Sequence, residues 1–322
     1  MSAETAEAGS RPGPVEPISY SVVIPTLGTR ATINDCLESL QRQTRPPAEV
    51  FVVVPEGVAF ECPEPFRAST VVLRVPVPSS SGQRNAGARA ASSPVVLFVD
   101  DDMELEPQCA AELLAVWQRR GLGALSGVAA TCVNEDTFPG GTVARRFMLA
   151  VAQLGHRALV ARGSRLMLSG AVANVRQPAR EIDVQFAVGF CVSYRRDLLD
   201  VEPFDESMTG YVLLEDMDIA ARMVAHAPLV HTPAARCTHA PVTPGRGVGA
   251  DGAYQRGRMG VFFRGRHRTR GTVGRLAWEW SNVADLLILL LSDLRGRTLA
   301  RSAAYLRGLR EARRQLRAEG SL

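Results

Sequence analysis

Lysine and long apolar runs are both missing from this chain of 322 residues. There is no lysine at all, so the 37 basic residues are all arginines. We interpret this as the codon usage of a GC-rich genome and not as a mark of nucleic-acid binding. The longest aliphatic run, LLILLL at 286–291, is far shorter than the roughly 20 residues that cross a bilayer. No membrane span is therefore predicted.

Export signals and cysteine frameworks are also missing. Residues 1–17, MSAETAEAGSRPGPVEP, lack the apolar core of a signal peptide, and we expect them to form a disordered leader. The six cysteines include no CxxC pair, which argues against a zinc ribbon and against a disulfide framework. Free thiols suit a reducing compartment, so we expect a cytoplasmic protein.

Charge is distributed unevenly along the chain. Residues 1–255 carry 22 arginines against 28 acidic residues, whereas residues 256–322 carry 15 arginines against 5. The change follows a glycine-rich segment, TPGRGVGADG. We therefore predict a basic, mainly helical C-terminal extension over 246–322, behind a main domain over 18–245.

Apolar strand-like runs alternate with helical patterns in the first hundred residues. The predicted strands are ISYSVVIPT, AEVFVVVPEG, TVVLRVPV and PVVLFV, and the helices include ATINDCLESLQRQT and SGQRNAGARAASS. Strands that are apolar throughout predict a parallel sheet covered on both faces. Later segments predict a helix at PQCAAELLAVWQRRG, a strand, turn and helix at DVQFAVGFCVSYRRDLLD, a helix at LLEDMDIAARMVAHAP and a short strand in LVHTPAARCTHAP; 134–184 are left unassigned.

Three consecutive aspartates, Asp100 to Asp102, follow the strand-like run PVVLFV directly. Adjacent carboxylates repel one another and lose solvation near a protein interior. One interpretation is a solvated acidic turn. The other, which we favour, is a site for Mg²⁺ or Mn²⁺, which bind carboxylate and phosphate oxygens. Asp100 and Asp102 share one face of an extended chain, so we expect the outer pair to hold the ion.

A second acidic group occurs in LLEDMDIAAR, where Glu215, Asp216 and Asp218 lie apart from the apolar stripe of the same helix. Acidic residues at a helix start interact favourably with the helix dipole, which is one explanation. The alternative is catalytic: a carboxylate kept ionised there can accept a proton.

Taken together, six motifs resemble the family 2 glycosyltransferases of the GT-A fold. They are SVVIPT, GQRNAGARAA, LFVDDDMELEP, VGFCVSYRRDLLDVEPFDE, YVLLEDMDIAAR and AARCTHAP, in the family's order over 18–241. The resemblance implies an α/β fold with a mixed sheet flanked by helices. It also implies an inverting, metal-dependent transfer from a nucleotide-diphosphate sugar to an acceptor hydroxyl on a cell-surface glycan, a lipid-linked molecule or a secondary metabolite.

The same resemblance implies roles for individual residues. Asp216 would be the general base and Glu215 would help to place the acceptor. Asp102 would bind Mg²⁺ or Mn²⁺, with Asp100 near the metal and the ribose. His239 matches a downstream histidine that ligates the metal or contacts the diphosphate; His231 is a nearby rival that we expect to be structural. The donor-binding residues implied are Pro25, Thr26, Arg84, Asn85, Asp100 and Asp101.

One departure from the family concerns the nucleotide base. Members commonly end the second strand with an acidic residue, but this chain has Val54 and Pro55 there. Glu56 could substitute by a shift of one or two positions. A uridine, thymidine, guanosine or unusual donor therefore stays open. The glycines of GQRNAGA also have a purely structural explanation as a tight helix entry.

The arginine-rich extension has two interpretations. Leu299, Ala303, Leu306, Leu309 and Leu316 form one predicted helical stripe opposite Arg301, Arg307, Arg310 and Arg314. We favour packing of this stripe on the main domain. The alternative is attachment to an anionic membrane surface, with Trp278 and Trp280 as interfacial aromatics. Nucleic-acid binding is not expected, because its recognised modules are missing.

Two other functions are less consistent with the sequence than glycosyl transfer. A nucleotidyltransferase also holds a nucleotide and a metal on strand-end aspartates, but PTLGTRATIN is a poor phosphate loop without lysine. A non-catalytic protein that binds membranes or nucleic acid through its arginines would not need Asp100, Asp102 and Asp216.

Overall fold

The computed structural model describes residues 17–28, 31–134, 164–173, 175, 177–208, 214–240 and 249–320. The predicted leader, except Pro17, lies outside the described residues, as does most of the unassigned segment, 135–163.

One nine-stranded sheet organises the main domain. Its spatial order is β3-β2-β1-β4-β10-β6-β11-β5, with β9 paired to β11; β7 and β8 form a separate hairpin. The strands are β1 (Tyr20–Pro25), β2 (Glu49–Pro55), β3 (Val71–Val75), β4 (Val95–Val99), β5 (Met103–Leu105), β6 (Gly127–Cys132), β7 (Arg165–Leu166), β8 (Val172–Ala173), β9 (Ile182–Val184), β10 (Cys191–Arg195) and β11 (Leu229–His239).

Helices cover both faces of this sheet and form the C-terminal extension. They are α1 (Thr32–Gln41), α2 (Glu64–Arg67), α3 (Ser80–Ala90), α4 (Cys109–Arg120), α5 (Arg196–Val201), α6 (Glu215–Met223), α7 (Gly249–Gln255), α8 (Val261–His267), α9 (Thr272–Arg295) and α10 (Ala300–Ala318). A π-helical stretch, Arg256–Gly260, joins α7 to α8.

The sheet is mixed, as the family resemblance implies. Strands β1, β2, β3 and β4 are parallel, and β10 runs antiparallel between β4 and β6. The prediction of a short last strand was wrong, because β11 has 11 residues. A register irregularity between His231 and Arg236 lets the strand continue past Pro233 and pair with β5 at its far end.

Helix α3 lies against β1 because its small residues allow it. A Cβ atom added at Gly87 would lie 2.3 Å from Cγ1 of Val23, so only glycine fits at that contact. The hydroxyl of Ser79 caps the helix by accepting from the Gly82 N–H at 3.4 Å. The close approach brings Arg84 toward the carboxyl ends of the parallel strands.

The C-terminal helices pack together through small residues. A Cβ atom at Gly308 would lie 2.3 Å from the carbonyl oxygen of Tyr254, and one at Gly257 would lie 2.2 Å from that of Tyr305. The predicted stripe on the last helix is right only in part: Leu316 is buried and Leu309 is half-buried, but Leu299 and Ala303 are exposed. The rest of the buried face consists of Ser302, Ala304, Tyr305, Gly308 and Ala312.

Arg301, predicted on the solvated face, instead binds the buried Asp293 at 2.8 Å. Among the described residues, no helix combines the length and the apolar character needed to cross a membrane.

Candidate active site

The two acidic motifs meet at the start of β10. Asp100, directly after β4, donates its backbone N–H to the carbonyl of Phe190 at 3.1 Å. The preceding residue, Gly189, donates its N–H to the Asp216 carboxylate at 2.6 Å. The antiparallel β10 therefore carries the first turn of α6 to the strand end where the aspartate run begins. The parallel neighbours β1 and β4 end at the same edge, which is where open α/β sheets bind ligands.

Arg84 links the two motifs through its side chain. Its guanidinium donates to Asp100 and to Glu215, each at 2.7 Å, and it is almost fully buried. Glu215 also accepts from the Ser80 hydroxyl at 2.8 Å. Although burial opposes it, the charges of Asp100 and Glu215 raise the pKa of the Arg84 guanidinium above its ordinary value. Arg84 therefore stays charged and fixes the two carboxylates relative to each other.

Burial raises the pKa of two carboxylates here. The pKa of Asp100 rises to about 6, with the Arg84 charge acting in the opposite direction. The pKa of Asp216 rises to about 7, first through burial and then through the charge of Glu215. Hydrogen bonds from the N–H groups of Gly189 and Met217 moderate that rise. A carboxylate with a pKa near 7 is well matched to proton abstraction at neutral pH.

Asp101 points to a different partner from its neighbours. Its carboxylate accepts from the hydroxyl of Thr26 at 2.5 Å, and both side chains are buried. The same Thr26 oxygen accepts from the Gly28 N–H at 2.9 Å, and the side chain of Gln83 donates to the Thr26 carbonyl at 2.8 Å. Asp101 thus holds the loop that follows β1.

Asp102 faces His239, the last residue of β11. The Asp102 Oδ1 and His239 Nε2 atoms lie 3.2 Å apart. The Asn134 side chain donates to the His239 carbonyl and accepts from the His239 N–H. The Ala240 N–H donates to the Asp102 carbonyl at 2.8 Å. The two side chains are in direct contact, and their separation is also that of two adjacent ligands of an octahedral ion with bonds of about 2.0–2.1 Å.

The described part of the chain shows no cluster of three or more His, Cys, Asp or Glu side chains arranged around a cation position. Other ligands would have to come from a bound molecule and water, as is usual for Mg²⁺.

His231 lies elsewhere, inside the sheet. It is buried beside Thr131, with Nε2 and the hydroxyl oxygen 3.1 Å apart, and burial lowers its pKa to about 4. An uncharged histidine between β6 and β11 is a structural residue, as the sequence suggested.

The remaining predicted donor residues lie around this corner. Pro25 ends β1 next to Thr26. Glu56 is exposed directly after β2, on the side of β3, where its N–H donates to the Val75 carbonyl. Strand β1 lies between β2 and β4, so two strand spacings put Glu56 about 10 Å from the β4 end. Asn85 exchanges hydrogen bonds with the backbone of Phe204 at 2.9 and 2.8 Å, so its amide fastens the loop after α5. The Phe204 ring lies 5.5 Å from the guanidinium carbon of Arg84.

Asp218 has a role that its sequence pattern did not indicate. Its carboxylate is 1% exposed and accepts from Arg222, Arg266 and His267 at 3.0, 3.1 and 2.7 Å. Burial alone would raise the pKa of Asp218, but the hydrogen bond from His267 and the arginine charges hold it well below its ordinary value. Arg222 follows Asp218 by four residues on the same helix, so the sequence spacing could have indicated that contact. Nothing in the sequence indicates the contacts with Arg266 and His267 on α8. Asp218 thus joins α6 to the C-terminal extension.

Comparisons with known proteins identify the family and the fold. The family model described as "Glycosyltransferase like family 2" matches residues 17–244. The glycosyltransferase AglE of Haloferax volcanii is 26% identical over 139 residues, which are 39% of this chain and 43% of AglE. The match thus spans less than half of AglE.

Two solved structures have a similar fold. One is residues 1–349 of TarS of S. aureus, with a TM-score of 0.53 at 16% identity, over 92% of this chain and 80% of that fragment. The other is the mannosyltransferase PcManGT of Pyrobaculum calidifontis, solved with GDP-Man and Mn²⁺, with a TM-score of 0.52 at 15% identity, over 97% and 83%. The predicted GT-A arrangement, a mixed sheet flanked by helices, is confirmed.

Proposed function

The chain belongs to glycosyltransferase family 2, and from this premise we propose that it transfers a sugar from a nucleotide-diphosphate sugar to an acceptor hydroxyl, with inversion at the anomeric carbon. The observation that carries the proposal is the chain of contacts from Asp216 through Gly189 and Phe190 to Asp100. It puts a carboxylate with a pKa of about 7 close to the strand end at which this fold binds nucleotides.

Asp216 acts as the general base in this proposal. Its carboxylate takes the proton of the acceptor hydroxyl while the hydroxyl oxygen bonds to the anomeric carbon on the face opposite the diphosphate. The bond from that carbon to the diphosphate oxygen breaks, and the nucleoside diphosphate leaves with the bonding electrons. A direct displacement needs no second carboxylate as nucleophile. Glu215, held by Arg84 and Ser80, keeps the first turn of α6 in place.

Asp102 and His239 would hold Mg²⁺ or Mn²⁺, with Asp100 beside them. The spacing of the Asp102 and His239 ligand atoms supports this assignment, and Mn²⁺ is present in the structure of PcManGT. A bound divalent ion supplies charge stabilisation for the departing diphosphate. Arg84 is the nearby fixed cation, and it keeps Asp100 oriented along the strand end.

The donor residues proposed from the family resemblance are Pro25, Thr26, Glu56, Arg84, Asn85 and Asp101. Thr26 and Asp101 shape the loop after β1 by their mutual hydrogen bond. The exposed Glu56 is available to a nucleotide base at the β2 end. Asn85 binds the backbone of Phe204, and the Phe204 ring lies against the Arg84 guanidinium. The acceptor is proposed as a glycan, lipid-linked or secondary-metabolite hydroxyl, and the place of action as the cytoplasm.

A donor panel tests this function. The full chain is incubated with Mn²⁺ and uridine, thymidine or guanosine diphosphate sugars, and release of the nucleoside diphosphate is measured. The anomeric configuration of the product, read by NMR, should be opposite to that of the donor. Asp216→Asn should keep donor binding and lose transfer, whereas the exposed Asp35→Asn on α1 should behave as wild type. Near-normal transfer by Asp216→Asn would remove this residue from the mechanism, and retention of configuration would reject the displacement.

A further inference from the structure

Helix α9 exposes an apolar stripe along its length. Its members, spaced by three or four residues and 44% to 66% exposed, are Val273, Leu276, Trp280, Val283, Leu287, Leu291 and Leu294. They fall on one side of the helix over about 30 Å at 1.5 Å per residue. Every exposed residue from 276 to 294 is apolar. An exposed apolar surface of this extent on a folded protein marks an interaction site.

The opposite side of α9 already packs on the extension. Trp278 and Leu289 are buried there in the apolar cluster around Tyr305. The helix is therefore apolar on two faces, and in the part of the chain that the structure describes only one of them is buried. A helix that is apolar all round is normally covered on all sides. The second face of α9 is therefore expected to contact another surface.

The charges of α9 are sorted between its two faces. The three acidic residues pair with arginines of neighbouring helices: Asp285 with Arg264 and Asp293 with Arg301, each at 2.8 Å and both turned inward, and Glu279 with Arg313, where the Glu279 side chain stays 37% exposed. Exposed arginines lie at the ends of the stripe, with Arg270 and Arg275 near its start and Arg295 and Arg297 near its end. The exposed side of α9 is thus an apolar strip with exposed arginines at both ends, and Glu279, the one partly exposed acidic residue of the helix, is neutralised by its pairing with Arg313.

We propose that the apolar stripe of α9 docks on an anionic lipid surface, with the helix lying in the interface. Leucine side chains enter the acyl boundary in such helices, and arginines at the flanks contact lipid phosphates. Trp280 has the amphipathic ring that favours this depth.

A second copy of the chain is the less favourable occupant. Both ends of the stripe carry exposed arginines, so a second copy would bring arginine-rich ends close to each other in either orientation. Like charges placed opposite one another oppose association. An anionic bilayer instead complements every one of these arginines. The inference is independent of sugar transfer, since no residue of the stripe belongs to the catalytic corner.

Vesicle co-sedimentation of the full chain tests the proposal. The wild type should sediment with vesicles of phosphatidylcholine mixed equally with phosphatidylglycerol, should stay in solution with phosphatidylcholine alone, and should be released by high salt. Leu287→Glu/Leu291→Glu should weaken binding to the mixed vesicles at least tenfold, from the lost burial of two leucines. Arg275→Gln/Arg295→Gln should weaken it by a smaller factor.

The matched control is Val71→Glu/Val201→Glu, which makes the same change in charge at apolar residues of β3 and α5 that are 51% and 64% exposed. It should bind nearly as wild type. Failure of the wild type to bind mixed vesicles, or equal loss in both double variants, would overturn the proposal.

Two further measurements separate the other occupants. A wild-type dimer by light scattering that Leu287→Glu/Leu291→Glu makes monomeric would show that a second copy covers the stripe. A large fall in melting temperature for that variant, relative to the control, would show that another part of the chain covers it. Either result would contradict the lipid surface.

Discussion

Gly189 and Asp216 are in such close contact that a methyl group cannot be placed between them. The Gly189 N–H donates to the Asp216 carboxylate at 2.6 Å, and a Cβ atom added at Gly189 would lie 2.4 Å from the Asp216 Cβ. The glycine before β10 therefore sets the position of the proposed base, and its absence of a side chain is a requirement of the site.

Gly189→Ala should displace Asp216 and reduce kcat/KM by about 100-fold, since a 1 Å misplacement costs that much. Donor binding, measured by calorimetry, should change little, because the residue does not lie at the Asp102 side of the corner. The control is Gly123→Ala, where an added Cβ meets nothing within 4 Å. Full activity of Gly189→Ala would show that the position of Asp216 is not critical.

The rate of transfer should depend on the ionisation of Asp216. Its raised pKa, about 7, means that the carboxyl keeps its proton, and cannot act as a base, below that pH. The rate at saturating substrate should therefore rise with pH, by about tenfold per unit below 7, and level off above it. A profile that is flat from pH 5 to 8 would contradict this role.

Glu215→Gln should move the rising part of the pH–rate profile to lower pH. The charge of Glu215 is the second cause of the raised pKa of Asp216, after burial. Its loss also leaves Arg84 less neutralised, which acts in the same direction. The midpoint of the pH profile reports the change, and a midpoint that stays or rises would show that Glu215 does not act on Asp216 electrostatically.

His239→Ala should weaken the effect of Mn²⁺ on nucleoside diphosphate binding. The proposed site has two protein ligand atoms 3.2 Å apart, and removing one should raise the Mn²⁺ concentration at half effect by at least tenfold. A Mn²⁺ titration at fixed nucleotide measures this. His226→Gln, on the surface beside Glu202, serves as the matched control. Identical titrations for both variants would exclude His239 as a ligand.

Asp218→Ala should destabilise the folded chain by about 3 kcal/mol or more, because it leaves buried cations without their partner. The pKa of Asp218 is lowered by folding, so its contribution is present above the ordinary carboxyl pKa and is lost only at lower pH. Thermal unfolding at pH 7, followed by circular dichroism, measures the loss. Asp197→Ala removes an exposed partner of Arg195 and should cost less than about 1 kcal/mol. Equal losses would mean that α6 and α8 are held together by other contacts.

The sequence predicted the parts of the molecule that local patterns specify. Strand ends, the start of α6 and the divergence of Asp101 from Asp100 all follow from periodicity and spacing. Periodicity alone could not identify the whole buried face of α10, because small residues such as Gly308 make up most of it, while Leu299 is exposed. Nor could it show that Asp218 binds His267, since that contact depends on how α8 folds back. The partners of Asn85 and the exposed stripe of α9 are likewise tertiary features.

The proposed site for a divalent ion and a diphosphate, formed by Asp100, Asp102 and His239, is tested most directly by thermal unfolding of the full chain. Nucleoside diphosphates are added one at a time, with and without Mn²⁺, to the wild type and to Asp102→Ala. A ligand that binds the native state raises its apparent stability. The account predicts that at least one nucleotide raises the melting temperature of the wild type only together with Mn²⁺, and that Asp102→Ala loses this joint effect. A wild type that responds to no nucleotide and metal pair, or a variant that responds equally, would contradict it.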